Sequence, residues 1–441
     1  MNLRQGAKEF EQPLAYNWPQ YDEEQIRDVV AVLRSGKVNA WTGTLVHQFE
    51  QAYAALLGRK HAIALSNGTV ALDVALHAIG LKTGDEVIVT PRSFVASASC
   101  VPMAGGVPVF ADVDPDSQAI TAESIAAVLT PRTRAVIVVH HAGWPADMDA
   151  IMSLADRHGF LVIEDCAQAH GAEYAGRPVG SFGHLSAFSF CQDKIITTGG
   201  EGGLLLLDDD VLWNRAWSFK DHGKDYGVLS QNLAVTGFRW LVGSFGSNYR
   251  MTEMQAAIGL RQLQRLQGWS DQRAANAQIL IDAFRQVPGL RTPEPPPNIR
   301  HAWYRFYTFV EPERLKRGWD RRRILTAINA AGVACFAGTC PEIYRERAFV
   351  EAGFQPPARL PNAAALGETS LAFLVDPCQT SVGMQRAAEV ATTVMRSATR
   401  KLVTSLKRKP APESRSIRWI GTKGNARNRV GLVGRQAGGA N

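Results

Sequence analysis

Between residues 61 and 209, short runs rich in Val, Ile and Leu alternate with helical patterns. HAIALS (61–66), DEVIVT (85–90), VPVFADV (107–113), AVIVVHH (135–141) and FLVIEDC (160–166) predict strands. GTVALDVALHAIG (68–80), residues 94–103, residues 125–129 and MDAIMSLADRHG (148–159) predict the helices between them. Apolar strands separated by helices are those of a parallel sheet covered on both faces, so the pattern predicts a doubly wound α/β fold. LSAFSF (185–190) and GGLLLLDD (202–209) predict two further strands, close enough together to pair antiparallel.

A long helical pattern begins near Thr252 and runs into the proline-rich stretch PGLRTPEPPPNIRHAW (288–303). HAWYRFYTFV (301–310) alternates like a strand, and RRILTAINAAGVACF (322–336) predicts a helix leading into a strand. These signals place a large domain with an N-terminal segment at 1–267, a smaller C-terminal domain at 268–398, and a tail at 399–441. No repeat of 20–50 residues is visible.

The net charge of +7 belongs to that tail. Residues 400–441 hold eleven Lys/Arg against the single acidic Glu413, so the remaining chain is slightly acidic. The tail, basic, Gly-rich and without periodicity, reads as disordered. Nothing in the body points to nucleic acid. Six cysteines form no CxxC pair and no zinc-type cluster with histidine. Cys166 and Cys191 lie in apolar runs and read as buried thiols, which fits a reducing cytosol. The N-terminus MNLRQGAKEF has no apolar signal core, and no uncharged run approaches membrane-spanning length. The expectation is a cytoplasmic protein without a membrane partner, in which the Asn67-Gly68-Thr69 sequon goes unused.

Three short stretches carry chemistry. SNGTVALDVAL (66–76) is a strand end, a polar turn and a helix start. The free N–H groups of a helix N-terminus suit a phosphate, although Ser66 and Asn67 equally read as plain caps. VIEDCAQAHGA (162–172) sets Glu164 and Asp165 at the carboxyl end of a buried strand, the edge where open α/β sheets bind ligands. A structural ion pair is the alternative there. FSFCQDKIITTGGEGG (188–203) places Lys194 between an apolar strand and a run of glycines. Such a lysine is either a surface cation or a reactive amine whose pKa burial lowers. Pyridoxal phosphate joins all three stretches, because it needs a lysine for its aldehyde, a phosphate cup, and a carboxylate for its pyridine nitrogen. Dinucleotide, Walker, HExxH and GxSxG signatures are absent. His140 and His141, adjacent on a strand, point to opposite faces and do not form a metal pair.

As a set, SNGTVAL, GDEVIVTPRSFVAS, GGVPVFADVD, GWPADMDAI, VIEDCAQAHGA, FSFCQDKIITTGGEGG and GSNYRMTEMQAAIG resemble the DegT/StrS family of pyridoxal-phosphate-dependent sugar aminotransferases over residues 14–395. The resemblance implies the type I aminotransferase fold, with a mostly parallel seven-stranded sheet and a smaller C-terminal α+β domain. It implies that Lys194 forms the Schiff base with the cofactor and carries the proton, that Asp165 pairs with the pyridine nitrogen, and that Gln168 bonds the phenolic oxygen. Gly68, Thr69 and Ser189 would hold the phosphate, and Phe94 would stack on the ring. Asn248 would reach the phosphate in a neighbouring subunit, which implies a homodimer with shared active sites; Asn248 otherwise reads as a helix cap. Arg250 is a further candidate for a substrate anion.

The implied reaction moves an amino group from glutamate or glutamine to a keto group on a nucleotide-linked sugar. A cyclic ketone of the inosose type is the alternative acceptor, and a regulatory protein that keeps the fold is the non-enzymatic alternative. Relatives that dehydrate sugars carry histidine where Lys194 stands, which favours transamination. HAWYRF (301–306), Trp41, Arg239 and Trp240 offer aromatics and charge for a base or sugar, or are packing residues. Three departures stand out: one more glycine before Glu201 than the commoner family form, Ala142 where many relatives have tyrosine, and a basic tail that lies beyond the family's usual end.

Overall fold

The computed structural model describes residues 18–230 and 238–400. The predicted N-terminal decapeptide and the tail from residue 401 onward lie outside the described residues.

Seven strands form the main sheet: β1 (His61–Leu65), β2 (Glu86–Val89), β3 (Val107–Phe110), β4 (Thr133–Val139), β5 (Leu161–Asp165), β8 (Leu185–Ser189) and β9 (Gly203–Leu207). Their order is β1-β9-β8-β5-β4-β2-β3. All pairings are parallel except those of β9, which runs antiparallel to both β1 and β8. A three-stranded sheet joins β6 (Glu173–Tyr174), β7 (Arg177–Pro178) and β11 (Ile299–Arg300). A four-stranded antiparallel sheet joins β10 (Leu290–Arg291), β12 (Phe306–Val310), β13 (Cys335–Phe336) and β14 (Ser370–Phe373).

The apolar strands feed two cores at once. Ile63, Leu65, Ala187, Leu205 and Leu207 face one layer. Ala64, Phe188, Leu204 and Leu206 face the other, where Phe49, Tyr53 and Phe190 pack edge-to-face. Alternate residues of one strand therefore serve opposite cores, which is why these strands read as unbroken apolar runs. Removing the Phe190 ring would cost about 3–5 kcal/mol.

The long pattern after Thr252 is a single helix, Glu253–Phe284, begun by a capping box between Thr252 and Gln255. Asn248, offered as a cap, does not serve as one. The helix runs without interruption through residues 267 and 268, where the sequence reading set a domain boundary. Its C-terminal half packs with the helix Ser381–Ala398 onto the four-stranded sheet, in a core that includes Phe284, Phe306 and Phe373.

Among the described residues, no helix is long and apolar enough to cross a membrane. Cys166 is buried as expected, but Cys191 is only half-buried, because it stands on the rim of a cleft and not under the sheet.

Candidate active site

The cleft, about 1000 Å³, opens at the carboxyl edge of the main sheet. Gly68, Thr69, Phe94, Asp165, Gln168, Ser189 and Lys194 all line it. Seven of the eight residues named from sequence are thus brought together. The eighth, Asn248, is exposed and lies outside the lining, bridged by backbone to Asp221.

The helix Gly68–Ala78 starts where β1 ends. Asn67 caps it by accepting from the Val70 N–H at 2.9 Å, so the capping reading holds for Asn67. That leaves the first-turn N–H groups of Gly68 and Thr69 facing the cleft, at the positive end of the helix dipole. Glycine is required at 68 by close approach: a Cβ there would lie 2.5 Å from the Ser189 Cβ. Backbone N–H groups and the Ser189 hydroxyl thus share one small cradle, which fits a phosphate. His170 sets the height of Ser189, since its Nε2 contacts the Ser189 carbonyl at 2.8 Å and its Nδ1 the Tyr53 hydroxyl at 2.6 Å. Burial drives the His170 pKa down to about 3, so the ring is neutral, donating to the carbonyl and accepting from the tyrosine.

Glu164 and Asp165 end β5 side by side but face opposite ways. Glu164 accepts from the Gly180, Phe182 and Gly183 N–H groups and meets His140 Nε2 at 3.0 Å. Burial pushes its pKa up, but His140 and those N–H groups outweigh it and hold the carboxyl below its usual range. Cys166 brings a third buried ligand-type atom near this pair, but Glu164 is already fully committed. Asp165 faces the cleft. Ser97 donates to its Oδ2 at 2.7 Å and the Ala167 N–H to its Oδ1 at 3.1 Å. Burial raises its pKa in spite of these bonds, so a cation from a ligand would be strongly favoured beside it. Gln168 accepts from the Ala142 N–H at 2.7 Å, which leaves its amide nitrogen to donate into the cleft.

Lys194 Nζ lies 3.1 Å from Asp193 Oδ1 and 3.3 Å from the Tyr304 hydroxyl. Tyr304 also donates to Asp193 Oδ2. Burial works against the charged amine, as the sequence reading supposed, but Tyr304 and Asp193 outweigh it. The lysine pKa is therefore raised, not lowered. The extra glycine is absorbed in a turn where Gly199 (φ 88°) and Gly200 (φ 123°) take backbone conformations that other residues rarely adopt. Glu201 still reaches the cleft.

Arg250 is paired with buried Asp221 at 2.7 Å and does not line this cleft. From HAWYRF, Tyr304 and Arg305 line the cleft, whereas Trp303 is buried on His301. Trp41, Arg239 and Trp240 do not line it. Ser97, Asp193, Tyr307 and the 334–339 segment were missed; only Asp193, next to the lysine, carried a local signal.

The groups present fit pyridoxal phosphate: an anion cradle, a buried carboxylate lacking a cation, an amide donor and an amine in one cleft.

A model of the "DegT/DnrJ/EryC1/StrS aminotransferase family" matches residues 19–395. The spore coat polysaccharide biosynthesis protein SpsC of Bacillus subtilis is 38% identical over 316 residues, 72% of this chain and 80% of that protein. A putative L-glutamine:3-amino-2,3-dideoxy-scyllo-inosose aminotransferase of Streptoalloteichus tenebrarius is 34% identical over 339 residues, 75% of this chain and 78% of that protein. The X-ray structure of an aminotransferase from Psychrobacter cryohalolentis is similar with a TM-score of 0.85 and 49% identity, covering 86% of this chain and 98% of that one.

Proposed function

The chain belongs to the DegT/DnrJ/EryC1/StrS aminotransferase family, whose cofactor is pyridoxal phosphate, and from that premise we propose that it moves an amino group from glutamate or glutamine to the keto group of a nucleotide-linked sugar. The observation that carries this reading is the single cleft that holds Lys194, Asp165, Gln168 and the Gly68–Ser189 cradle together. Its volume of about 1000 Å³ leaves room for a sugar beside a cofactor.

When bound, pyridoxal phosphate supplies an aldehyde for an amine and a ring that accepts electrons from the carbon losing its proton. The first-turn N–H groups of Gly68 and Thr69, with the Ser189 hydroxyl, would hold the phosphate. Asp165 would keep the ring nitrogen protonated, because a buried carboxylate strongly favours a cation beside it. Gln168 would donate to the phenolic oxygen, and Phe94 would lie against the ring. Lys194 Nζ would be the amine that holds the cofactor's aldehyde and the base that carries the donor α-carbon proton. Asp193 and Tyr304 hold that amine in place between transfers.

The inosose-type acceptor is a second reading, favoured by the name of the Streptoalloteichus relative. A panel of keto-sugar nucleotides and an inosose, each with glutamate and glutamine, separates the two. Lys194→Ala is expected to lower amino transfer by at least ~10²–10⁴-fold on any acceptor. Full activity in that variant overturns the reading.

A homodimer is also part of the proposal. Phe238, Trp240, Val242 and Phe245 are strongly exposed within one short segment, and Trp240 is 88% and Phe245 97% accessible. Such a patch suits a second copy of the chain. Asn248 follows it directly and would enter the neighbouring cleft. Light scattering at the dimer mass, with activity lost in Asn248→Ala, is the expected result; an active monomer contradicts it.

A further inference from the structure

The carboxylates of Asp165, Asp193 and Glu201 line the cleft. Among the described residues, the cationic side chains that line it are Lys194 and Arg305. An amino-acid donor brings at least one more negative charge. It is accepted in such a cleft only where a cation meets its carboxylate. On the function proposed above, Lys194 is taken up by the cofactor, which leaves Arg305.

Arg305 is held beside that lysine. Trp303 (φ 51°) turns the chain. Tyr304 and Arg305 then both line the cleft, although neighbours on a regular strand face opposite ways. The Ala142 carbonyl accepts from the N–H groups of both, at 2.9 and 3.4 Å. The Arg305 guanidinium lies over the Tyr304 ring, 4.4 Å from its centre, and its Nη1 donates to the Tyr304 carbonyl at 3.0 Å. Its Nη2 stands 3.7 Å from Asp193 Oδ2, while Lys194 Nζ is 3.1 Å from Asp193 Oδ1. A single carboxylate group therefore spans the amine and the guanidinium. The Arg305 side chain keeps 18% of its surface accessible.

We propose that Arg305 binds the α-carboxylate of the amino donor and so restricts donors to α-amino acids. The α-carboxylate is bonded directly to the carbon that gives up its proton. It therefore needs a cation close to Lys194 Nζ, and Arg305 stands there. The diphosphate of a nucleotide-linked sugar is separated from the keto carbon by part of the sugar ring, so it suits this place less well. A guanidinium stays charged and presents paired N–H groups that match a carboxylate. The inference rests on the transamination proposed above. It depends neither on which ketone is aminated nor on whether glutamate or glutamine is the donor, since both carry the group.

The test uses the full-length protein with its cofactor bound and no acceptor present. Cofactor absorbance is followed as glutamate, glutamine or isoglutamine is titrated in; isoglutamine carries an amide in place of the α-carboxylate. The wild type is expected to react with glutamate and glutamine, and with isoglutamine at least about tenfold less efficiently, as loss of a charged contact predicts. Arg305→Met should lower the efficiency of glutamate and glutamine alike by about tenfold to a hundredfold, through a higher half-saturating concentration, and leave isoglutamine unchanged. Arg305→Lys keeps the charge without the fork and should fall between. Unchanged titrations in Arg305→Met overturn the proposal. So does a loss confined to glutamate, which would put the side-chain carboxylate at Arg305. Should Arg305→Met fail to fold, a wild-type crystal with 2-methylglutamate, which has no α-proton to lose, decides. Its α-carboxylate should lie within about 3.2 Å of the Arg305 guanidinium, and a carboxylate held elsewhere overturns the proposal. A wild-type cofactor that none of the three amino acids alters overturns the transamination itself, and the role of Arg305 with it.

Discussion

Ser97 donates its hydroxyl to Oδ2 of Asp165 across 2.7 Å, in a place where both residues are buried. The bond favours the ionised carboxylate and opposes the effect of burial. A hydrogen bond to a charged group contributes about 1.5–3 kcal/mol. Ser97→Ala is therefore expected to weaken cofactor binding by about tenfold or more, as read by titrating the apo-protein. Unchanged affinity would show that Asp165 does not rely on this contact.

Gly68→Ala tests the phosphate cradle. The added methyl would fall 2.5 Å from the Ser189 Cβ, a separation that cannot stand, so strand or helix must move. Expected is a folded protein, with circular dichroism unchanged, that binds cofactor at least about tenfold more weakly, as loss of one charged-group contact predicts. Normal affinity would remove Gly68 from the cradle.

The stretches that mattered most were legible because each is contiguous. Lys194, Asp165, Gln168 and the Gly68 turn sit at strand ends whose apolar runs announce them. Ser97 was not legible, and Tyr304 was legible only as one aromatic of HAWYRF and not as a partner of Lys194, since what makes each important is a contact 68 or 110 residues away. The direction of the Lys194 shift was missed for the same reason: burial can be read from an apolar run, but the tyrosine that outweighs it comes from a distant strand entry. Arg250, a candidate for a substrate anion in the sequence, is paired with Asp221, which no local pattern signals.

Tyr304 and Asp193 hold the Lys194 pKa up. Tyr304→Phe removes one of these two supports, so the pKa should fall and more neutral amine should exist near neutral pH. The rate of cofactor capture by the apo-protein is then expected to shift to lower pH. A pH profile that stays put, or moves upward, contradicts the assignment of Tyr304 as a positioning residue.

Two buried histidines make the fold acid-sensitive. Burial takes His170 and His301 down to about 3 from an ordinary value of 6.5. The unfolded chain therefore binds more protons between those limits, and stability rises with pH there. It is complete above about pH 6.5 and declines as the pH falls toward 3, by on the order of a few kcal/mol per histidine. The midpoint of thermal unfolding should drop steadily from pH 7 to pH 5. A flat profile over that range would contradict neutral burial of these rings.

The proposed function stands on Lys194 as the amine that would hold the cofactor. Borohydride reduction of the holo-protein fixes the bond, and peptide mass spectrometry locates it. One pyridoxyl label per chain is expected, on Lys194, and none in Lys194→Ala. A label on another lysine, or reduction that leaves Lys194 unmodified in an active protein, would contradict it.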